Sequence, residues 1–104
     1  MTQFSFTPDA EFDIDEIAAY LQGLPQVPAL RIGRKLQQAI ATITRFPGLG
    51  RIDERLTTLS GTRVLRFISG PYILFYHLAQ QSIRILSILH TKRDIDDIMS
   101  SRLK

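Results

Sequence analysis

The chain has 104 residues, 44% of them hydrophobic and 22% charged, with a net charge of +3. That length suits a single domain over residues 1–104 and buries roughly 60–70% of the unfolded surface, enough for a core. With no cysteine there is neither a disulfide framework nor a zinc finger, and no apolar run is long enough to span a bilayer. Met1-Thr2-Gln3-Phe4-Ser5 lacks the pattern of a secretory leader, so cytoplasmic residence is expected. Charge is distributed unevenly. Residues 1–30 hold five acids and no Lys or Arg, giving −5, and residues 31–104 hold 13 basic and 5 acidic residues, giving +8. A strongly basic surface follows, suited to nucleic acid or an acidic protein, with a solvated face as the alternative.

Phe4-Ser5-Phe6 predicts a short edge strand. Thr7 can cap a helix that Pro8 opens and Asp9 supports through the helix dipole. Its apolar face comprises Ala10, Ile14, Ile17, Ala18 and Leu21, and Gly23 follows Gln22 as its stop. Asp9, Asp13 and Glu16 read as a solvated polar stripe on that helix. Pro28 is expected to open a second helix with Ile32, Leu36, Ala39, Ile40 and Ile43 inward. Gly33 is expected to allow close approach of the first helix. The helix stops at Phe46-Pro47-Gly48, and the short link between the helices makes an antiparallel hairpin.

Residues 47–62 carry little periodicity and read as an ordered loop with one helical turn. Arg63–Ile68 and Tyr72–Leu78 predict two strands. Ile83–Leu89 is an apolar, β-branched run that reads as a strand buried on both faces. A short helix is expected between Asp94 and Leu103, with Asp94 as its cap. The order β-α-α-β-β-β-α predicts an α+β fold, with a helical hairpin on one face of a mainly antiparallel sheet. The other face is expected to be partly open and to gather Arg63 or Arg66 with the cluster at the end of the last strand.

That cluster, His90-Thr91-Lys92-Arg93-Asp94, holds the candidate chemistry. His90 reads first as a strand-end residue bonded to the backbone, and second as a general acid or base. Arg93 can pair with a carboxylate across the sheet or bind phosphate. Arg63 and Arg66, three apart on a strand, point to opposite faces. Tyr72 and Tyr76 share a face, with packing rings and hydroxyls at the rim. His77 reads as structural or surface. No metal-ligand spacing, nucleophile triad or phosphate-binding loop is present, so neither metal nor cofactor is expected.

Asp13, the turn Phe46-Pro47-Gly50-Arg51, Arg63, Tyr76 and His90-Arg93-Asp94 occur in an order that resembles the ParE/RelE superfamily of type II toxin–antitoxin toxins, closest to its ParE-like branch. The resemblance covers nearly the whole chain. It implies a toxin neutralised by a small acidic antitoxin in a heterotetramer or larger complex. The ParE-like branch inhibits DNA gyrase. The RelE-like branch cuts mRNA in the ribosome, and here Arg63, His90 and Arg93 would carry that reaction, with Arg51 or Arg55 as outer clamps. This chain lacks the RelE-type lysine cluster, and Thr91 stands where some relatives carry a tyrosine, which favours gyrase. A relative that only binds its antitoxin is a third possibility. Arg51, Arg63, Arg66, Tyr76, His90, Lys92 and Arg93 are the candidates for contact with target or antitoxin.

Overall fold

The computed structural model describes residues 3–103. The elements are β1 (Gln3–Phe6), α1 (Pro8–Gln22), α2 (Gln26–Arg45), a 3-10 turn (Pro47–Leu49), β2 (Arg51–Ile52), α3 (Glu54–Ser60), β3 (Val64–Ser69), β4 (Tyr72–Ala79), β5 (Ser82–His90) and α4 (Ile95–Arg102). The sheet order is β1-β5-β4-β3-β2, with β1 parallel to β5 and the other pairs antiparallel.

The start of α1 follows its sequence signal. The Thr7 hydroxyl accepts from the Ala10 N–H at 3.1 Å, and it also donates to the Leu86 carbonyl at 3.0 Å. One side chain thus caps the helix and ties it to β5. Ala10, Ile14 and Ile17 face the core, whereas Ala18 is exposed. α2 begins at Gln26, earlier than the predicted Pro28. Proline is tolerated there because the first turn of a helix leaves its N–H groups unpaired anyway. Ile32, Leu36, Ala39, Ile40 and Ile43 all join the core. A Cβ at Gly33 would meet only the Leu21 Cδ1, at 4.0 Å, so the helices do not require glycine there.

Residues 47–62 hold more regular structure than the single helical turn expected of them. Asp53 caps α3 by accepting from the Leu56 N–H at 2.9 Å, and Gly61, with φ 77°, ends the helix in the left-handed region. The seven-residue helix is too short for periodicity to reveal.

The second face, expected to be partly open, is open only at one corner, and the cluster at the end of the last strand does not gather there with Arg66. β4 alternates Tyr72, Leu74 and Tyr76 towards α1 and α2, and Ile73 and Phe75 towards the other side. Two apolar faces need two covers. α3 supplies Leu56, and α4 supplies Met99 with Ile95 and Ile98, over Val64, Ile73, Phe75, Leu86 and Leu89. β5 serves both cores through a register shift. Phe75 pairs with Ser87 and Tyr76 with Ile85, which leaves Leu86 as an extra residue. Such a bulge turns neighbouring residues to the same face and resets the alternation. The covering stops at the outer corner of β3, where Ile68 is 62% exposed although its cross-strand partner Ile73 is buried.

Candidate functional site

The exit of β5 is built by three elements. β1 stops pairing at Phe6 opposite Ile85, leaving the far half of β5 without a strand on that side. α1 fills the gap. Asp13, 2% exposed, accepts from the Ile88 N–H at 3.0 Å. Arg102 reaches the same carboxylate from α4, at 2.7 and 2.9 Å, and also donates to the Ser87 hydroxyl at 2.8 Å. This bidentate pair joins the two helical layers around the end of the sheet. The Asp13 hydrogen bond holds the Arg102 guanidinium above its ordinary value, although burial pulls the other way. Asp13 is therefore no part of a solvated stripe. Both carboxylate oxygens accept, with three hydrogen bonds in all and a paired cation, which offsets the cost of burying the charge.

Beyond the clamp lies a recess of about 170 Å³ lined by Asp13, Glu16, Ile17, Tyr20, Tyr72, Ile88, His90 and Arg93. His90 Nδ1 accepts from the Lys92 N–H at 3.1 Å, so that nitrogen carries no proton in this arrangement. The His90 carbonyl accepts from the Arg93 N–H at 3.0 Å, and the Pro71 carbonyl from the Thr91 N–H at 2.8 Å. The imidazole meets the Tyr72 ring edge-on, with centroids 5.4 Å apart. Burial raises the Tyr72 phenol above its ordinary value. His90 thus locks the exit turn. Arg93 lies 3.6 Å from Glu16 of α1, and Lys92 is exposed. Asp94 occupies the cap position of α4 but makes no capping hydrogen bond, contrary to its sequence reading. The Asp94 carboxylate instead holds the neighbouring Asp97 carboxyl above its ordinary value.

Tyr76 is 0% exposed, so its hydroxyl is not at the rim. It accepts from the Gly50 N–H at 3.0 Å and donates to the Pro47 carbonyl at 2.7 Å. Burial pushes the phenol up, and the Gly50 bond partly offsets that. A Cβ at position 50 would run into the Tyr76 ring, 2.8 Å from its Cζ. The joint occurrence of a glycine in this turn and a tyrosine on β4 thus has a steric cause.

The remaining candidates do not converge. Arg63 precedes Val64, which pairs with His77, whereas His90 pairs with Tyr72. The step along β4 from Tyr72 to His77 spans about 17 Å of strand. Arg63 and the His90–Arg93 corner lie at opposite ends of the sheet. Arg51 and Arg66 do come together, directly opposite each other on β2 and β3. Arg55 turns to α4, with Asp96 at 3.3 Å and the Ser100 hydroxyl at 2.9 Å. Among the described residues no cluster of His, Asp or Glu could hold a metal ion. No described helix is long and apolar enough to cross a membrane.

The family described as the ParE toxin of the type II toxin–antitoxin system, parDE, matches residues 4–95. The chain belongs to that family. A solved chain of the chromosomal ParDE TA system from P. aeruginosa shares the fold, with a TM-score of 0.60 at 22% identity, over 86% of this chain and 96% of that one. No curated protein matches the chain. Membership in the ParE family implies a cognate antitoxin. Asp13, Gly50 and Tyr76, which carried the resemblance in sequence, hold elements together here, and His90, which did so too, locks its own turn. Arg102, which completes the Asp13 clamp, lies beyond the matched span and was not a sequence candidate. Its only sequence signal is a basic residue in the last turn of a short helix.

Proposed function

We propose that this ParE family member arrests growth by inhibiting DNA gyrase, and that an acidic antitoxin relieves the arrest by covering the helical hairpin and the sheet margin. The observation that carries the choice of target is the separation of Arg63 from His90 and Arg93 along β4. A ribonuclease would need a general base, a general acid and phosphate clamps around one ribose. Here Arg63 is remote from His90 and Arg93, and the His90 ring is engaged with its own turn. Inhibition by a docked surface asks for no such constellation, so the protein acts as an inhibitor rather than an enzyme.

Two features support an acidic antitoxin. The hairpin exposes Phe12, Tyr20, Val27 and Leu30. On α2, Val27 and Leu30 share a recess with Arg31, Arg34 and Lys35. Apolar anchors flanked by cations suit an acidic amphipathic segment that folds as it binds. Induced expression without the adjacent partner gene should stop bacterial growth, and co-expression should restore it. Purified protein should block supercoiling and trap cleaved DNA on gyrase. Intact gyrase activity together with codon-linked mRNA cuts would overturn the choice of target.

A further inference from the structure

We propose that Arg51 and Arg66 form a carboxylate-binding fork that receives an extended acidic segment of the partner protein along β2. The inference rests on the reading of this chain as one neutralised by a protein partner, and it names the site and chemistry of one contact.

Arg51 and Arg66 are direct cross-strand partners in an antiparallel pair, so their side chains leave the same face side by side. Like charges in that relation destabilise a sheet. Neither guanidinium has an ion-pair partner among the described residues, whose salt bridges involve Arg55, Arg93 and Arg102. Both are exposed. An arginine cannot relieve the repulsion by losing its proton, as a histidine or lysine can. An external anion can relieve it, and two planar forks side by side suit carboxylates.

The surroundings favour a peptide over a phosphate backbone. The recess beside the pair is lined by Leu49, Phe67 and Ile68 as well as the two arginines. Leu49 and Ile68 are both largely exposed. Ile68 lies two residues from Arg66 on β3 and shares its face. A nucleic-acid backbone would leave those apolar groups unused, whereas a segment alternating acidic and apolar side chains would use both. β2 ends the sheet, so its outer edge is available for an added strand. The same corner is where α3 and α4 stop covering the sheet.

The test is calorimetric titration of the full chain with the antitoxin encoded by the adjacent reading frame, at low and high salt. Binding by the wild-type chain tests the reading on which the inference rests, and absence of binding removes that reading. Given binding, Arg51→Gln with Arg66→Gln should weaken it at least tenfold at low salt, and by less at high salt. Arg66→Glu should weaken it further, while raising the melting temperature of the free toxin by giving Arg51 a partner. This stabilisation also guards against a trivial loss through misfolding. Wild-type affinity in both folded variants would overturn the fork and leave the toxin reading intact. So would unchanged antitoxin affinity together with loss of binding to a 20-base-pair DNA duplex, which would assign the pair to nucleic acid.

Discussion

At the exit of β5, Arg102 is sunk between two helical layers and meets Asp13 at 2.7 and 2.9 Å; at the β2 margin, Arg51 and Arg66 face each other in solvent with no acid on either. The chain contains enough carboxylates to neutralise both places, yet only the first is neutralised. At the first, an unmet charge would be buried and would destabilise the fold by several kcal/mol. At the second, water screens the repulsion, and the penalty for leaving it is small. The fold therefore tolerates a bare arginine pair only where solvent, or a partner, can reach it. Architecture and recognition use the same side chain, and burial separates the two uses.

The buried pair should give the largest effect. Arg102→Ala leaves Asp13 inside the protein with one N–H partner, and should lower stability by about 3 kcal/mol. For a domain of this size that is a fall in melting temperature of at least ~12 °C. Asp13→Ala should do comparable damage, because it strips both Arg102 and the Ile88 N–H of their acceptor. The double variant Asp13→Ala with Arg102→Ala should be less unstable than the sum of the single changes. Urea unfolding of the four proteins measures the coupling. Strict additivity would show that the two groups do not act as a pair.

How far this was legible in the sequence follows from distance along the chain. Thr7 and Pro8 announce α1 because a cap acts within three residues. The β-branched runs announce β4 and β5. The Asp13–Arg102 pair spans 89 positions, and no local pattern distinguishes its members from the solvated acids and bases beside them. The extent of cover on the second face was missed for a related reason. α4 was announced by its apolar positions but not the face it would cover, and α3, with seven residues, supplies too few apolar positions to be read. Tyr72-Ile73-Leu74-Phe75-Tyr76 in β4 carried the clue, since an unbroken apolar strand requires cover on both sides. Arg51 and Arg66 were each singled out, but their pairing depends on β2, which lies in the stretch read as loop.

A smaller effect is expected at the turn between α2 and β2. Tyr76→Phe keeps the buried ring but leaves the Gly50 N–H and Pro47 carbonyl without their hydrogen bonds. It should lower stability by about 1–2 kcal/mol, read by the same urea titration. The variant also probes the arginine fork, because this turn leads directly into Arg51. If the turn positions the fork, Tyr76→Phe should weaken antitoxin binding while the protein remains folded. Unchanged affinity in that variant would mean that β2 is held in place by its pairing with β3 alone.

The smallest effect comes from a third cationic contact, which the sheet handles in another way. His77 on β4 is the direct cross-strand partner of Arg84 on β5, in the same geometrical relation as Arg51 to Arg66. Here one partner can give up its charge. Burial, and then the Arg84 charge, lower the His77 pKa below its ordinary 6.5, and its Nε2 is buried without a hydrogen-bond partner. The folded imidazole is held neutral, while the unfolded chain can protonate it. The unfolded state therefore binds more protons once the pH falls below about 6.5. Stability is complete above that pH and declines as the pH drops through 6.5 towards the lowered folded value. The melting temperature of the wild type relative to His77→Phe should accordingly fall between pH 7.5 and 5.5. A difference that stays constant across that range would show that His77 does not relieve its contact by staying neutral. The contrast with the arginine pair, which has no such outlet, would then lose its internal control.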